Sequence, residues 1–462
     1  MIDLKTYQDY LAAIEKGKEI EFIQTAIKEY KLSDDYKIAL DADEYEAERN
    51  VTILQFMKCI FTTSGIKVPD FTAANNKIAS NFFHRLTTQR VSYSLGNGIS
   101  FPGAKVEISD NKAKIIDATK DKLGENFDTI LYLAAHYARI HKVSYLFWNL
   151  DHSDYFKMTE FLPLLDEETG KLRAGFRFWS LDWEKKPVIV VKYEEDGYTQ
   201  YKTKTGSKGL DLMLDKPKRG YIQNIQHTEA DGDQITGESN YSSIPIVPLW
   251  GDKHHQSDLV GMRAKIDAYD LIKSGFADDV EECAEIYWVI SNALGMSDAD
   301  LAKFRDRMKL QHIVTADSDT PVKAERVEIP VAARESLLKG LREQIYEDYG
   351  GLDVHTVAAG ATNDHIDAAY QPVDEEADDF EYQIIQAVQG ILGLMGVKDT
   401  PIFKRNRISN QKEQTEMVVN SADHLDEETI LNKLPFLTPD EVQIVLARKL
   451  DEVAATVTMT EV

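Results

Sequence analysis

The chain has 462 residues, of which 43% are hydrophobic and 28% charged, and its formal net charge is -25. That length exceeds one ordinary compact domain, and that apolar content supports a core, so global disorder is excluded. So large an acidic excess repels phosphates on average; it argues against a protein that grips nucleic acid, but not against one that lets it slide past.

Three helical segments are expected first, at Thr6–Lys16, Lys18–Tyr30 and Asp41–Cys59. The acidic run Asp41 to Glu48 reads as a solvated face. A helix over Ala73–Arg90 leads into Val91–Gly98, where Asn97-Gly98 signals a turn. Phe127–Leu146 reads as a long amphipathic helix. Aromatic segments then alternate as strands do, at Phe176–Trp179, Val188–Tyr193 and Tyr198–Tyr201, with Glu194–Gly197 as a hairpin turn. Residues 203–243 are polar and rich in Gly, Ser and Asp, and read as loop-like with a few edge strands. Ile244–Trp250 reads as an extended strand, because each residue before a proline is biased away from helix.

The second half changes character. Ser257-Asp258 can cap a helix that runs to about Ile290. Leu259, Met262, Ile266, Tyr269, Ile272, Phe276, Val280, Cys283 and Tyr287 recur at steps of three and four. They form one stripe over roughly 30 residues, about 45 Å at a helical rise. Asp278, Asp279, Glu281 and Glu282 occupy the other face, and so long a helix suggests a strut packed against neighbours. Residues 291–330 read as a compact insert, with a helix at Asp298–Met308, a strand at Gln311–Thr315, a turn at Asp317–Pro321 and a strand at Val322–Ile329. Pro330 starts a returning helix, Val331–Tyr349, which Gly350-Gly351 ends. A loop of small residues, Ala358–Asn363, precedes a helix opened by the acidic run Asp374–Asp379 and reaching about Met395. Those acids would suit the positive end of its dipole. A basic, strand-like segment, Ile402–Arg407, an Asn410–Glu413 turn and further helices close the chain.

Cys59 and Cys283 lie in apolar stretches that read as helical, and are taken as small buried thiols rather than a disulfide framework or a zinc site. Met1–Lys5 lacks the basic and apolar regions of a signal peptide. Residues 129–150 are interrupted by His136, Arg139, His141 and Lys142, so they make no membrane span, and a soluble protein made inside the cell is expected. His254-His255 has no second ligand cluster at a suitable spacing and reads as surface histidines. Asp317 and Asp319 lack the Gly and the bidentate Glu of a calcium loop. There is no Walker A sequence and no Gly-Xaa-Gly-Xaa-Xaa-Gly, so neither ATP-driven work nor a cofactor is expected. The stretch Trp179 to Trp183 could line a sugar site with carboxylates, and reads better as strand-core aromatics.

Five landmarks between about residues 70 and 450 resemble, in residues and in order, the portal family of siphoviruses from Gram-positive bacteria. The helix beginning at Asn81-Phe82 and leading to Tyr93-Ser94-Leu95-Gly96 is similar to the family's early motif. Ile244-Pro245-Ile246-Val247-Pro248 with Ser257-Asp258-Leu259, then Ile266-Asp267-Ala268-Tyr269-Asp270 with Ser274, resemble its central motif. Phe403-Lys404-Arg405-Asn406 and Thr429-Ile430-Leu431 with Leu434-Pro435-Phe436 resemble its C-terminal pattern. One departure stands out: Gly360–Tyr370 has no Ser-Gly where relatives commonly carry it.

The resemblance implies an α+β, mainly helical portal fold, assembled as a ring of about twelve subunits through heterologous contacts. It implies a wing at 1–255, a first stem helix at 256–290, a clip at 291–330 and a second stem helix at 331–350. A tunnel loop at 351–372, a wing helix and strand at 373–412 and a crown at 413–462 would follow. The implied function is a channel at one capsid vertex through which double-stranded DNA is packaged and ejected. The implied partners are the terminase large subunit, a head-completion or adaptor protein, and the major capsid and scaffolding proteins, with no membrane involved. The implied location is the virion, after assembly in the host cytoplasm. His355, Thr356, Val357 and Asn363 are the channel-loop candidates. Arg334, Lys339 and Arg342 are candidates for the stem lumen, and could equally pair with Glu335, Glu343 or Glu347 on the same helix. Lys303, Arg305, Arg307, Lys309, Lys323 and Arg326 would face DNA or a docked partner at the clip, or form a solvated face. Lys404–Arg407 reads as a wing or subunit-interface feature rather than a DNA grip. No catalytic residue or metal ligand is expected. The rival readings are an acidic, glycosidase-like hydrolase, suggested by the aromatic and carboxylate richness of residues 145–200, and another capsid or head–tail connector component.

Overall fold

The computed structural model of the chain describes residues 5–61, 65–71, 73–109, 112–180, 187–204, 210–228, 232–282, 287–290, 322–325, 330–356, 362–407 and 411–434, with a few single positions beyond. Helices α1 (Tyr7–Glu15), α2 (Glu19–Leu32) and α3 (Asp34–Glu46) come first, then a short α4 (Val51–Gln55) and strands β1 (Cys59–Phe61) and β2 (Lys67–Pro69). Helix α5 (Phe82–Leu95), strands β3 (Ile99–Ser100), β4 (Lys105–Ser109) and β5 (Lys112–Ile116), and helix α6 (Ala118–Leu123) lead to α7 (Phe127–His141). A run of strands follows: β6 (Val143–Asn149), β7 (His152–Lys157), β8 (Phe161–Leu165), β9 (Leu172–Ser180), β10 (Val188–Glu194), β11 (Gly197–Thr203), β12 (Leu212–Arg219), β13 (Ile222–Thr228), β14 (Gly232–Ser239) and β15 (Ile246–Trp250). The rest is α8 (Asp258–Glu282), β16 (Tyr287–Ile290), β17 (Val322–Glu325), α9 (Val331–Tyr349), α10 (Asn363–Leu394), β18 (Ile402–Phe403), α11 (Gln411–Asn420) and α12 (Glu427–Lys433). Helices and antiparallel strands together give the α+β class that the sequence implied.

Two compact units divide the chain: Met1–Arg49, Asn81–Arg263 and Ile345–Val462 form one, Asn50–Ser80 and Ala264–Gln344 the other. The first holds an antiparallel five-stranded sheet, ordered β12-β11-β10-β9-β8, and a three-stranded one, ordered β15-β6-β7. Pro248 can sit in β15 because that strand is an edge, where a missing N–H breaks no inner ladder. One core packs α1–α3 on the larger sheet through Tyr10, Ile23, Ile27 and Tyr30 against Phe161, Phe176, Phe178 and Val190. The Phe161 ring occupies the place a Cβ on Gly175 would take, so a side chain there would have to displace this buried aromatic. A second core packs α5, α7 and α10 on β6 and β15, through Leu131, Ala134, Ala138, Leu146, Leu249, Phe380, Ile384 and Val388. The alanines let α7 come close to the sheet.

The second unit is built around α8. Asp270, Ser274 and Asp278 lie four residues apart on one helical stripe, and all three are buried. They accept hydrogen bonds from the main-chain N–H groups of alternate residues in an extended strap. Ser80 N donates to Asp270 Oδ1 at 3.0 Å, Ile78 N to Ser274 Oγ at 3.0 Å and Asn76 N to Asp278 Oδ1 at 2.6 Å. Two extended residues advance about 6.6 Å and four helical residues about 6 Å, so the two repeats stay in step. Asn50 Nδ2 also donates to Asp270, and Lys58 Nζ lies 3.1 Å from Asp278. Burial pushes the Asp270 carboxyl above its usual range, against the pull of the Asn50 and Ser80 hydrogen bonds.

Several sequence expectations are corrected. The expected helix at Asp41–Cys59 is instead α3, which starts where Ser33 Oγ accepts Tyr36 N at 3.3 Å, then a left-handed Glu48, then α4 and β1. The acidic run is not a solvated face. Ala42 and Tyr45 are buried, Asp43 meets His141 Nε2 at 2.7 Å, and Glu46 Oε1 meets His84 Nδ1 at 2.7 Å and His136 Nε2 at 2.9 Å. Residues 74–80 form no helix, and α5 starts at Phe82 and passes Arg90 to reach Leu95. Helix α7 stops at His141, because Lys142 takes φ +98° and Val143 begins β6 between two partner strands. Among the described residues of 203–243 the three strands β12, β13 and β14 are all edge strands, as expected, but they fill most of the stretch, which is therefore less loop-like than its composition suggests. Helix α8 is described as far as Glu282, and Tyr287 begins β16, which pairs with β17, so the helix does not run to Ile290. Asp278 is buried rather than solvated. Helix α10 starts at Asn363, so Asp374–Asp379 lie inside it rather than at its positive end. Cys59 is a half-buried free thiol in a strand, not in a helix, and Cys283 lies outside the described residues. The strands of Phe176–Trp179, Val188–Tyr193 and Tyr198–Tyr201, the turn at Glu194–Gly197 and the helix Val331–Tyr349 ended by Gly350 at φ +64° are found as expected.

Candidate functional site

The candidate loop after α9 leaves from, and returns to, one apolar cluster in the first unit. Leu352, on its outgoing side, and Ile366, Tyr370, Val373 and Ala377, on its returning side, are buried together with Tyr93 of α5. The outgoing side is fixed by a reciprocal amide pair. Gln89 Nε2 donates to Leu352 O at 2.9 Å, and Leu352 N donates to Gln89 Oε1 at 3.0 Å. On the returning side, Tyr370 stacks on Tyr93 with ring centres 5.6 Å apart. Both anchors sit on α5, so the span between them can vary without disturbing the core.

Electrostatics hold the same region. Helix α10 carries eight carboxylates and no lysine or arginine, so its counter-charges must come from elsewhere. Arg90, only 2% exposed, supplies one: Nη1 meets Glu376 Oε2 at 2.5 Å, Nη2 donates to the Tyr349 carbonyl, and the guanidinium lies 4.4 Å from the Tyr349 ring. Arg405 supplies the second, bonding Glu381 at 2.9 Å through both Nε and Nη2, Asp374 at 3.0 Å through Nη1, and Asp378. The Glu381 hydrogen bond, more than any other contact, raises its affinity for the proton. Arg407 supplies a third, 3.1 Å from Asp367 and 5.0 Å from the Tyr370 ring centre. Tyr93 joins both sides: its hydroxyl donates to Asp374 at 2.6 Å and its carbonyl accepts from Asn406 N at 2.8 Å. Burial and the Asp374 hydrogen bond push the Tyr93 phenol up, so it stays a donor. Only the first two residues of the basic segment, Ile402 and Phe403, form a strand. Beyond them, Arg405 and Arg407 are committed to carboxylates within this chain.

The sequence candidates fall in different places. His355 lies in a short 3-10 turn, Val354–Thr356, and is exposed, with its N–H donating to Asp353 at 3.1 Å. Asn363 is the first residue of α10. Val357 lies outside the described residues, as do Lys303, Arg305, Arg307, Lys309 and Arg326; Lys323 lies in β17. In the second unit, Arg334 pairs with Asp279 of α8, donates to Gly275 O at 3.3 Å and covers the Phe276 ring. Its partner is therefore on the other helix, not its own. Lys339 keeps a loose contact of 3.9 Å to Glu343, and both side chains are mostly exposed; such a pair holds the cation weakly. Arg342 also has a partner. His255 stacks on Trp250 with ring centres 3.8 Å apart, and burial lowers its pKa. Among the described residues, no group of His, Cys, Asp and Glu could hold a metal ion, and no helix is long and apolar enough to cross a membrane.

Sequence reasoning missed Arg90, Gln89 and the role of Tyr93. One signal was present: a 32-residue helix with eight acids and no cation requires arginines from outside itself.

A family described as phage portal protein, SPP1 Gp6-like, matches residues 27–455 of the chain. The portal protein of Clostridium phage phiCD119 is 24% identical over 398 residues, covering 80% of this chain and 83% of the relative.

Proposed function

The chain belongs to the SPP1 Gp6-like phage portal protein family, and from that premise we propose that it works as one subunit of a ring whose channel passes double-stranded DNA. Phage portal proteins are structural components of the capsid vertex and serve viral DNA packaging. The observation that carries the reading is the family match across residues 27–455, which leaves little of the chain outside it. Neither the hydrolase nor the other connector reading gains support: the smaller aromatics of β9 and β10 are core residues, and Trp179 lies beneath Arg177.

In this reading α8 and α9 are the stem, residues 291–330 the clip, 351–372 the region of the tunnel loop and 413–462 the crown. The anchoring of Leu352 and Tyr370 on α5 suits a loop that must change position while DNA passes, because only the span between the anchors has to move. Acidic helices suit the same task. A lumen rich in free lysine and arginine would bind many phosphates and resist sliding, whereas Arg90, Arg334, Arg405 and Arg407 are paired with carboxylates. Lys339, loosely held by Glu343, is the stem cation best placed to offer a weak, exchangeable phosphate contact. The ring would dock the terminase on one side during filling and a head-completion protein afterwards.

Deletion of residues 354–363 tests the loop. The expected result is a ring of unchanged mass that no longer supports DNA packaging. Normal packaging by that variant would show that the loop does not contact DNA in transit, and a wild-type protein that stays at its 52.4 kDa subunit mass under all conditions would overturn the ring itself.

A further inference from the structure

The second unit exposes two apolar surfaces that do not meet each other. The first is the β1–β2 hairpin and its continuation: Ile60 is 50% exposed, Phe61 73% and Phe71 84%. The strands pair over only three residues each, from Cys59↔Pro69 to Phe61↔Lys67. A two-stranded hairpin this short is not stable by its own pairing and needs an apolar surface to lie on. Natural proteins also avoid leaving edge strands bare. Phe61 and Phe71 alone present roughly 300 Å² of apolar side chain. That is more than a third of the about 800 Å² that one partner contributes to a standard interface.

The second surface is on α8. The apolar stripe read from the sequence is buried at Leu259, Met262 and Ile266, then loses its cover. Ile272 is half-buried, Phe276 is half-buried beneath Arg334 of α9, and Val280 is 55% exposed. At 100° per residue, Ile272, Phe276 and Val280 lie about 160° around the helix from Asp270, Ser274 and Asp278, which hold the strap. The hairpin continues that strap and is tied to it beside Asp278 through Lys58. The hairpin and this flank, which Arg334 of α9 covers only in part and which leaves Val280 open, therefore lie on different sides of one helix, and within one chain neither covers the other. Two different, mutually matched patches on one subunit define a heterologous interface, which closes into a ring when the rotation allows.

We propose that the β1–β2 hairpin of one copy packs through Ile60, Phe61 and Phe71 against the Ile272–Phe276–Val280 flank of α8 in the next copy. The occupant is a second copy of this chain, because this unit itself carries both halves of the contact. The proposal rests on the ring reading above and adds to it the surface by which neighbours recognise each other.

Two measurements test it. The first compares the assembly state of the wild-type protein and of Phe61→Ser/Phe71→Ser by sedimentation, with circular dichroism to check folding. The variant is expected to need about 100-fold more protein to assemble, since two buried aromatics are typical interface anchors. The second mixes two single-cysteine proteins, Phe61→Cys and Val280→Cys, each made with Cys59→Ser and Cys283→Ser, under mild oxidation. A disulfide-linked pair containing one of each is expected, and homodimeric links are not. If the Ser variant assembles like wild type, or the assembled mixture gives no heterologous link, the hairpin contact is wrong while the ring stands. If the wild-type protein does not assemble, the ring reading falls and takes the contact with it. Should the Ser variant misfold, the cysteine pair still decides, because each cysteine replaces an exposed side chain.

Discussion

Arg139 and Asp258 offer the sharpest test of how the first unit is held together. The two side chains are 4% and 5% exposed and form a two-pronged pair, with Nε to Oδ2 at 2.8 Å and Nη2 to Oδ1 at 2.8 Å. Arg139 Nη1 also donates to Gly251 O at 2.7 Å, and the Tyr349 hydroxyl donates to Asp258 Oδ2 at 2.6 Å. The node thus joins α7, the turn after β15, the first residue of α8 and the last residue of α9. Burial alone would lower the Arg139 pKa, but the charge and hydrogen bond of Asp258, with smaller contributions from Tyr349 and Asp252, together more than offset it. In Arg139→Met, Asp258 becomes a buried, uncompensated carboxylate, which costs about 3–5 kcal/mol. Tyr349 and the positive end of α8 retain roughly 1 kcal/mol of that. The expected loss is therefore about 2–4 kcal/mol, measured by urea unfolding at pH 7. The double variant Arg139→Met/Asp258→Leu removes the stranded charge, and its loss should fall well below the sum of the single losses, with a coupling of about 2 kcal/mol. A loss under about 1 kcal/mol for Arg139→Met, or additive single effects, would refute the reasoning.

Two further outcomes follow from the same kind of pairing. Arg405→Ala strips three α10 carboxylates of their shared partner; allowing for partial exposure, the loss is about 1–2 kcal/mol. Hydrogen exchange should rise at Ile402–Arg407 and in the first half of α10 while the five-stranded sheet stays protected, and unchanged exchange would show that the contacts do not hold the segment. For Glu46, burial raises the pKa, but hydrogen bonds from His136 and His84 bring it below the ordinary value. A depressed carboxyl stabilises fully above its unfolded pKa of about 4.3 and loses that stabilisation as pH falls through the folded value. Glu46→Gln should therefore cost about 1.5–3 kcal/mol at pH 7 and little in strong acid, so the two unfolding curves converge as pH falls. Parallel curves down to pH 2 would contradict this.

The strands of the large sheet were legible because alternation and turn chemistry are local signals: Glu194–Gly197 closes its hairpin where expected. The helix Val331–Tyr349 was legible for the same reason, with proline before it and glycine after it. The strap at residues 74–80 was not. Its composition permits a helix, but α8 offers side-chain acceptors at the pitch of an extended chain, and those bonds replace the helical ones. The start of α10 was missed because Pro372 and the acidic run at Asp374–Asp379 look like a helix beginning. Arg90, Arg405 and Arg407 neutralise those acids from distant parts of the chain, so an interior position becomes tolerable.

The sequence by itself determined the α+β composition, the acidic excess, the long helix with its return, and the ordered landmarks that pointed to a portal protein. These depend on residue type and spacing, which need no folded partner to be read. Tertiary structure alone decided which charges are free. Asp278, Arg334 and Arg405 look alike as solvated ions on paper, yet each is committed to a partner 24 to 202 residues away. A charged side chain gains most from a counter-ion where water is excluded, and only the folded chain determines where that is.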